Sequence, residues 1–251
     1  MKRVVIKNLE FGTGRPKICV PLTGKTKKEL IEEAVNAKTS CADLAEWRID
    51  WFERVDDLAE LSETSRLIRE ILAWKPLLIT FRTKEEGGAK SIEKEAYEAL
   101  LMGICERKLA DMIDIEVMKG DELVKRIVLK AKEQKIFTVG SNHNFYKTPS
   151  REEIIGRLCK MQELDLDITK IAVMPETERD VLVLLDATLS MKETYADRPF
   201  ITMSMKKMGL ISRMTGELFG SCLTFGTAGA ASAPGQIDAG ELSSVLDYFA
   251  K

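Results

Sequence analysis

The sequence predicts an α/β chain closed into a (β/α)8 barrel, and three features predict it. The chain has 251 residues, and one such barrel takes about 250. Eight short β-rich apolar runs recur with helical patterns between them. Polar residues also gather at the carboxyl ends of many different runs. An open doubly wound sheet, the competing architecture, would collect them at one switch point. No Pro/Gly/Ser-rich linker, low-complexity tract or internal repeat divides the chain, so residues 1–251 read as a single domain.

Arg3–Phe11 reads as a β-hairpin that closes the barrel's bottom. The barrel strands follow as Lys17–Leu22, Leu44–Asp50, Leu77–Arg82, Met112–Val117, Ile136–Ser141, Ile168–Met174, Phe200–Met205 and Cys222–Thr227. They begin roughly 20 to 35 residues apart, the spacing of repeated βα units. Helix Lys27–Lys38 opens on Thr26 with Glu29 three positions on, a capping box. Asp56–Ala73 sets Leu58, Leu61, Leu67, Ile68, Ile71 and Leu72 mainly on one side at helical spacing. Ile92–Lys108 and Gly120–Gln134 come next. Ser150 with Glu153 makes a second capping box, opening Arg151–Glu163 after Pro149. Thr177–Tyr195 and Ala239–Phe249 complete the series.

A formal net charge of -2 leaves no general footprint for nucleic acid or anionic membrane. No apolar run of about 18 residues exists to span a membrane, and Met1–Gly14 does not read as a signal peptide. The five cysteines are scattered and free of C-x-x-C spacing, which suits buried thiols in a reducing cytosol. Partners other than a small molecule are not indicated.

His143 is the sole histidine, and the sequence sets it just past a strand, where barrel enzymes keep their chemistry. General acid/base work is one reading and an idle loop imidazole the other; alone, it argues against a zinc or iron site. Lys170 lies inside an apolar strand. Alternation puts Ile171 and Val173 on one face and Lys170, Ala172 and Met174 on the other. If the first face meets the helices, the amine points into the barrel. Desolvation there, with any nearby cation, lowers its pKa and frees it to attack a carbonyl. A lysine snorkelling at a strand end or held in a salt bridge is the competing account. Glu46 and Arg48 share a face, Arg82 and Glu86 follow the next strand, and Gly87-Gly88 lets backbone approach closely. Arg213 offers a fork for a carboxylate or phosphate, and Ala231–Gln236 makes a small polar lid. A phosphosugar substrate and a Schiff-base aldolase stay open at this point, as does a catalytically silent binding barrel.

Glu46-Trp-Arg48, Phe81-Arg-Thr-Lys-Glu-Glu-Gly-Gly88, Ser141-Asn-His-Asn-Phe145, Lys170-Ile-Ala-Val-Met-Pro175, Ile211-Ser-Arg213, Gly216-Glu-Leu-Phe-Gly-Ser221 and Ala231-Ser-Ala-Pro-Gly-Gln236 together resemble type I 3-dehydroquinate dehydratases. The likeness runs from about Lys17 to the last helix. It implies a cytoplasmic shikimate-pathway enzyme, a homodimer without metal or organic cofactor, acting on 3-dehydroquinate. By this resemblance Lys170 forms a Schiff base, His143 shuttles protons, and Glu86 orients His143. Glu46, Arg48 and Arg82 hold ring hydroxyls. Trp47 is counted with them as substrate-binding, against packing as its competing role. Arg213, Ser232 and Gln236 close over the substrate and engage its carboxylate. Four departures from the family pattern stand out: Pro21 for a serine, Lys206 for a small residue, Asn144 for an aspartate, and Gly229-Ala230 for a more polar pair.

Overall fold

Period-two alternation sorts the side chains of each long strand between two buried surroundings, and that sorting builds the barrel. The computed structural model describes residues 2–229 and 237–249. An antiparallel pair, β1 (Val4–Ile6) and β2 (Leu9–Phe11), comes first. Eight parallel strands follow: β3 (Lys17–Leu22), β4 (Leu44–Arg48), β5 (Leu77–Thr80), β6 (Met112–Glu116), β7 (Phe137–Asn144), β8 (Ile168–Val173), β9 (Phe200–Ser204) and β10 (Leu223–Thr227). A two-residue strand, β11 (Ile237–Asp238), joins the carboxyl end of β10. Helices α1 (Lys27–Thr39), α2 (Leu58–Leu72), α3 (Lys94–Glu106), α4 (Asp121–Glu133), α5 (Arg151–Glu163) and α6 (Glu178–Ser190) separate β3 to β9. Two short ones, α7 (Leu210–Met214) and α8 (Gly216–Phe219), lie between β9 and β10, and α9 (Ala239–Asp247) follows β11.

On β8, Ile171 and Val173 join helix residues such as Leu184 in an outer apolar cluster, while Ile168 and Ala172 belong to an inner one. Both strand faces are covered, which is why such strands read as nearly continuous apolar runs. Val4, Ile6 and Phe11 of the hairpin pack in the same inner cluster as Leu44, Met112 and Ile168, the first residues of their strands. The hairpin therefore closes the bottom, as expected. Burying the Phe11 ring completely stabilises that closure by roughly 1.5–3 kcal/mol.

The sheet comes round on itself at β9 and β10 with few bonds. Cys222 N donates to Phe200 O at 2.9 Å, and Thr202 N donates to Ser221 Oγ at 3.1 Å. A serine hydroxyl stands where a ladder carbonyl otherwise would.

All eight barrel strands fall where the sequence sets them, with shifts at their ends. β7 is the informative shift, because it pairs with β8 as far as Asn144↔Val173 and so holds His143 inside the strand instead of past it. The Thr26–Glu29 capping box forms in full. The one at Ser150 is half made: Ser150 Oγ accepts from Glu153 N, but the Glu153 carboxylate turns to Arg157. The Thr177–Tyr195 helix changes pitch after Ser190. Met191–Tyr195 runs on as a π turn in which Ala196 N reaches Met191 O at 2.8 Å. Ser190 Oγ bonds back to Asp186 O there, a competitor known to disturb helices. Among the described residues, no helix is long and apolar enough to cross a membrane.

Candidate active site

On β4, β6, β7 and β8 the inward residues change character, from apolar near the hairpin to charged or polar farther along the strand. Leu44 gives way to Glu46 and Arg48, Met112 to Asp114 and Glu116, Val139 to Ser141 and His143, and Ile168 to Lys170. A cavity of about 320 Å³ opens at the barrel's carboxyl end. Glu46, Arg48, Arg82, Glu86, His143, Lys170 and Arg213 all line it, so seven of the expected site residues meet in one place. Ala172, Met203, Met205 and Phe225 add apolar wall.

Lys170 Nζ lies deep, its side chain 4% exposed, 4.5 Å from the centre of the Phe225 ring. Its charged neighbours are Glu46 Oε1 at 3.7 Å and Asp114 Oδ2 at 3.9 Å. Two inward carboxylates, from β4 and β6, occupy that layer. The register pairs Ser141 with Lys170 and His143 with Ala172, so the imidazole sits one inward step nearer the mouth. One such step is about 6.6 Å of strand.

Glu86 comes from the 3-10 turn Lys84–Glu86 after β5. Gly88 permits this turn, since a Cβ there would lie 1.8 Å from Arg82 O. Glu86 Oε2 accepts from His143 N and lies 2.9 Å from both that nitrogen and His143 Nδ1, so an ionised Glu86 holds the ring proton on Nδ1 and leaves the Nε2 lone pair free. Burial holds the imidazole well below its ordinary range, with Arg82, Lys170 and Arg48 adding to the effect. The Glu86 carboxyl is pushed up to about 7, chiefly by burial; Glu116 reinforces this and Arg82 opposes it.

Arg82 is the hub of this end of the barrel. Nη2 meets Asp114 Oδ1 at 2.9 Å, while Nη1 meets Glu116 Oε1 at 2.8 Å, Ser141 Oγ at 3.0 Å and Glu86 Oε2 at 3.4 Å. Arg48 is held by both oxygens of the buried Asp50, at 2.9 Å each. Arg213 differs from both. It is 5% exposed, no carboxylate pairs with it among the described residues, and its Nε has no hydrogen-bond partner there. A buried guanidinium in that state is suited to an anionic group arriving with a ligand.

Trp47 is a correction. It is fully buried on the outer face of β4 and packs edge-on to Phe52 at 5.6 Å, because alternation turns position 47 away from Glu46 and Arg48. Ser232, Gln236, Ala230 and the Ala231–Gln236 stretch lie outside the described residues. Sequence reading overlooked Asp114, Glu116 and Ser141. A signal existed in Met-Ile-Asp-Ile-Glu of β6, where acids alternate with isoleucines as Lys170 alternates with its own neighbours. Asn144, one of the departures, caps the next turn: its Oδ1 accepts from Tyr146 N and Lys147 N at 3.0 and 3.1 Å, which an amide oxygen does as well as a carboxylate.

The sequence profile of type I 3-dehydroquinase matches residues 18–251. The 3-dehydroquinate dehydratase of Clostridioides difficile (strain 630) is 51% identical over 250 residues, covering 100% of this chain and 98% of that protein. The enzyme of the same name from Bacillus subtilis (strain 168) is 49% identical, with coverage of 100% and 98%. A crystal structure of type I 3-dehydroquinate dehydratase from Clostridium difficile with covalent modified comenic acid superposes with a TM-score of 0.96 at 51% identity, covering 99% of this chain and 98% of that one. The Enterococcus faecalis 3-dehydroquinate dehydratase structure gives 0.93 at 42% identity, over 99% and 100%.

Proposed function

The chain belongs to the type I 3-dehydroquinase family, and from that premise we propose that it removes water from 3-dehydroquinate to give 3-dehydroshikimate, with the ketone held as an imine on Lys170 and His143 moving the protons. It is a hydro-lyase of the shikimate pathway. The observation that carries the reading is a nearly buried amine at the floor of a cavity whose rim holds the Glu86–His143 pair.

In this reading the Lys170 ammonium passes one proton to His143, and the freed amine adds to the carbonyl carbon. The carbonyl oxygen leaves as water with that returned proton and one amine hydrogen, the last hydrogen staying on the iminium nitrogen. The iminium draws electrons and acidifies the adjacent carbon, so the amine supplies the electron sink and neither metal nor organic cofactor is required. His143 Nε2 takes that carbon's proton as the iminium becomes an enamine. The electron pair then returns and expels the hydroxyl β to the original ketone, and the protonated imidazole gives that hydroxyl its proton. Hydrolysis of the conjugated imine frees the product and restores Lys170. Glu86 keeps the imidazole in the tautomer whose lone pair is on Nε2 and steadies its charge during the step. Glu46, Arg48 and Arg82 serve the ring hydroxyls and Arg213 the carboxylate, with Ser232 and Gln236 closing above. The same reading carries one catalytic domain over the whole chain, acting as a homodimer in the cytoplasm.

The covalent ligand in the Clostridium difficile structure accords with a nucleophile in this family. The direct test is to mix the protein with 3-dehydroquinate and follow ultraviolet absorbance. The conjugated enoate of the product gives a rising signal; a flat trace returns the Schiff-base aldolase to consideration. Arg213→Ala is expected to raise KM at least about tenfold with a smaller effect on kcat, the pattern of lost uniform binding. Steady-state kinetics check this, and unchanged constants remove Arg213 from the carboxylate site.

A further inference from the structure

The two oxygens of the fully buried Asp114 have unequal surroundings. Oδ1 accepts from Arg82 Nη2 at 2.9 Å and from Ser141 Oγ at 2.6 Å. Oδ2 has no hydrogen-bond donor among the described residues and stands 3.9 Å from Lys170 Nζ, beyond hydrogen-bond reach. A buried carboxylate oxygen without a donor is costly, and a fold that keeps one invites the question of which donor arrives to use it. Glu46 is the amine's other carboxylate neighbour, but its Oε1 already accepts from Thr80 Oγ1 at 2.9 Å. Lys170 is also faced by Cys19 from β3, His143 from β7 and the Phe225 ring from β10. Asp114 is faced by Arg82, with the charges of Glu116 and Glu86 and the Tyr97 phenol nearby.

Imine formation changes what Nζ can donate. A planar iminium keeps one N–H and a full positive charge, and this lone donor needs an acceptor with charge to match. We propose that Asp114 is a positioning residue that acts as counter-ion to the imine nitrogen, its free Oδ2 accepting the iminium N–H and keeping that nitrogen charged until the hydroxyl has left. The proposal rests on the imine reading above. No proton passes to Asp114: the carbon–nitrogen bond forms as water carries off the carbonyl oxygen, and the remaining hydrogen stays on nitrogen. An uncharged imine would draw electrons weakly, so the carboxylate sets the pH up to which elimination runs.

Asp114→Asn tests this. Arg82 and Ser141 hold the amide oxygen in the place of Oδ1, so the amide NH2 turns toward Nζ, a donor facing a donor. The expected result is a fall in kcat of roughly tenfold or more, KM within about threefold, and an alkaline limb of kcat moved down by about one to three pH units. A lower kcat with the limb unmoved marks a merely structural residue and overturns the proposal. Ser141→Ala keeps the question decidable if Asp114→Asn fails to fold. It removes one donor from Oδ1, leaves the carboxylate less neutralised, and moves the limb upward; an unmoved limb there also overturns it. Borohydride with 3-dehydroquinate on the unaltered protein separates the two readings. No adduct on Lys170 overturns the imine and this proposal together, whereas an adduct with unmoved limbs overturns the role of Asp114 alone.

Discussion

Lys170→Met is expected to lower turnover of 3-dehydroquinate by on the order of 10⁵-fold or more, the scale seen when a covalent nucleophile is removed. Methionine fills the space of the side chain but offers no nitrogen, so the ketone alone must acidify the neighbouring carbon. With Arg213 and the ring-hydroxyl contacts in the roles proposed above, substrate binding stays and the loss falls on kcat. Borohydride trapping on the unaltered protein should add the reduced substrate's mass at Lys170, and the variant should gain none. Turnover within about tenfold of normal, or an adduct mapped to another lysine, would sink the assignment. The substitution also takes a cation away from Glu46 and Asp114, leaving buried carboxylates less compensated, so a lower melting temperature accompanies the loss.

His143→Ala should cost about 10²- to 10⁴-fold in kcat, the usual worth of a proton-transfer group, while the Lys170 adduct still forms under borohydride. That split separates elimination from imine formation; a variant that turns over normally ends the shuttle role. The pH profile follows from the same pair. Above about 7 the Glu86 carboxylate accepts from Nδ1–H and the Nε2 lone pair is available. As pH falls through that value the carboxyl gains a proton and donates to Nδ1 instead, which moves the ring hydrogen to Nε2. The base is then lost without the imidazole ever becoming charged, in keeping with its own strongly lowered pKa. An acid limb near 7 in kcat/KM belongs to the pair as a unit. Glu86→Gln should displace it, and a limb unaltered in that variant contradicts the tautomer account.

The barrel was legible because each strand is sandwiched between two apolar layers, so short runs of β-formers stand out between helical patterns. Lys170 stood out for the same reason: a charge inside an apolar strand has few places to go, and alternation assigned it to the lumen with Ala172. Alternation assigns Trp47 to the outer face equally well. Counting it with Glu46 and Arg48 followed a three-residue motif where the physics separated them. Asp114 and Glu116 were equally readable from period two, yet what they do was not. Their function is to surround Arg82, and that meeting joins strands 32 to 59 residues apart, which no local pattern reports. The neighbours of Lys170 were hidden likewise, since a sequence gives the inward face of each strand but not the height at which two strands are set against each other.

The sparse stitching between β9 and β10 has a consequence for binding. Ser212 Oγ accepts from Ser204 N at 2.9 Å and donates to Gly209 O at 2.7 Å, so the short helix bearing Arg213 rides on β9. Phe225, the ring beneath the amine, belongs to β10. Among the described residues that line is crossed by one main-chain bond and one hydroxyl, which makes a crack along it cheap. Any guest gripped by Arg213 at one end and seated on Phe225 at the other bridges the two lips. It acts as a suture, and the filled barrel resists heat and exchange along that seam by an amount that grows with occupancy.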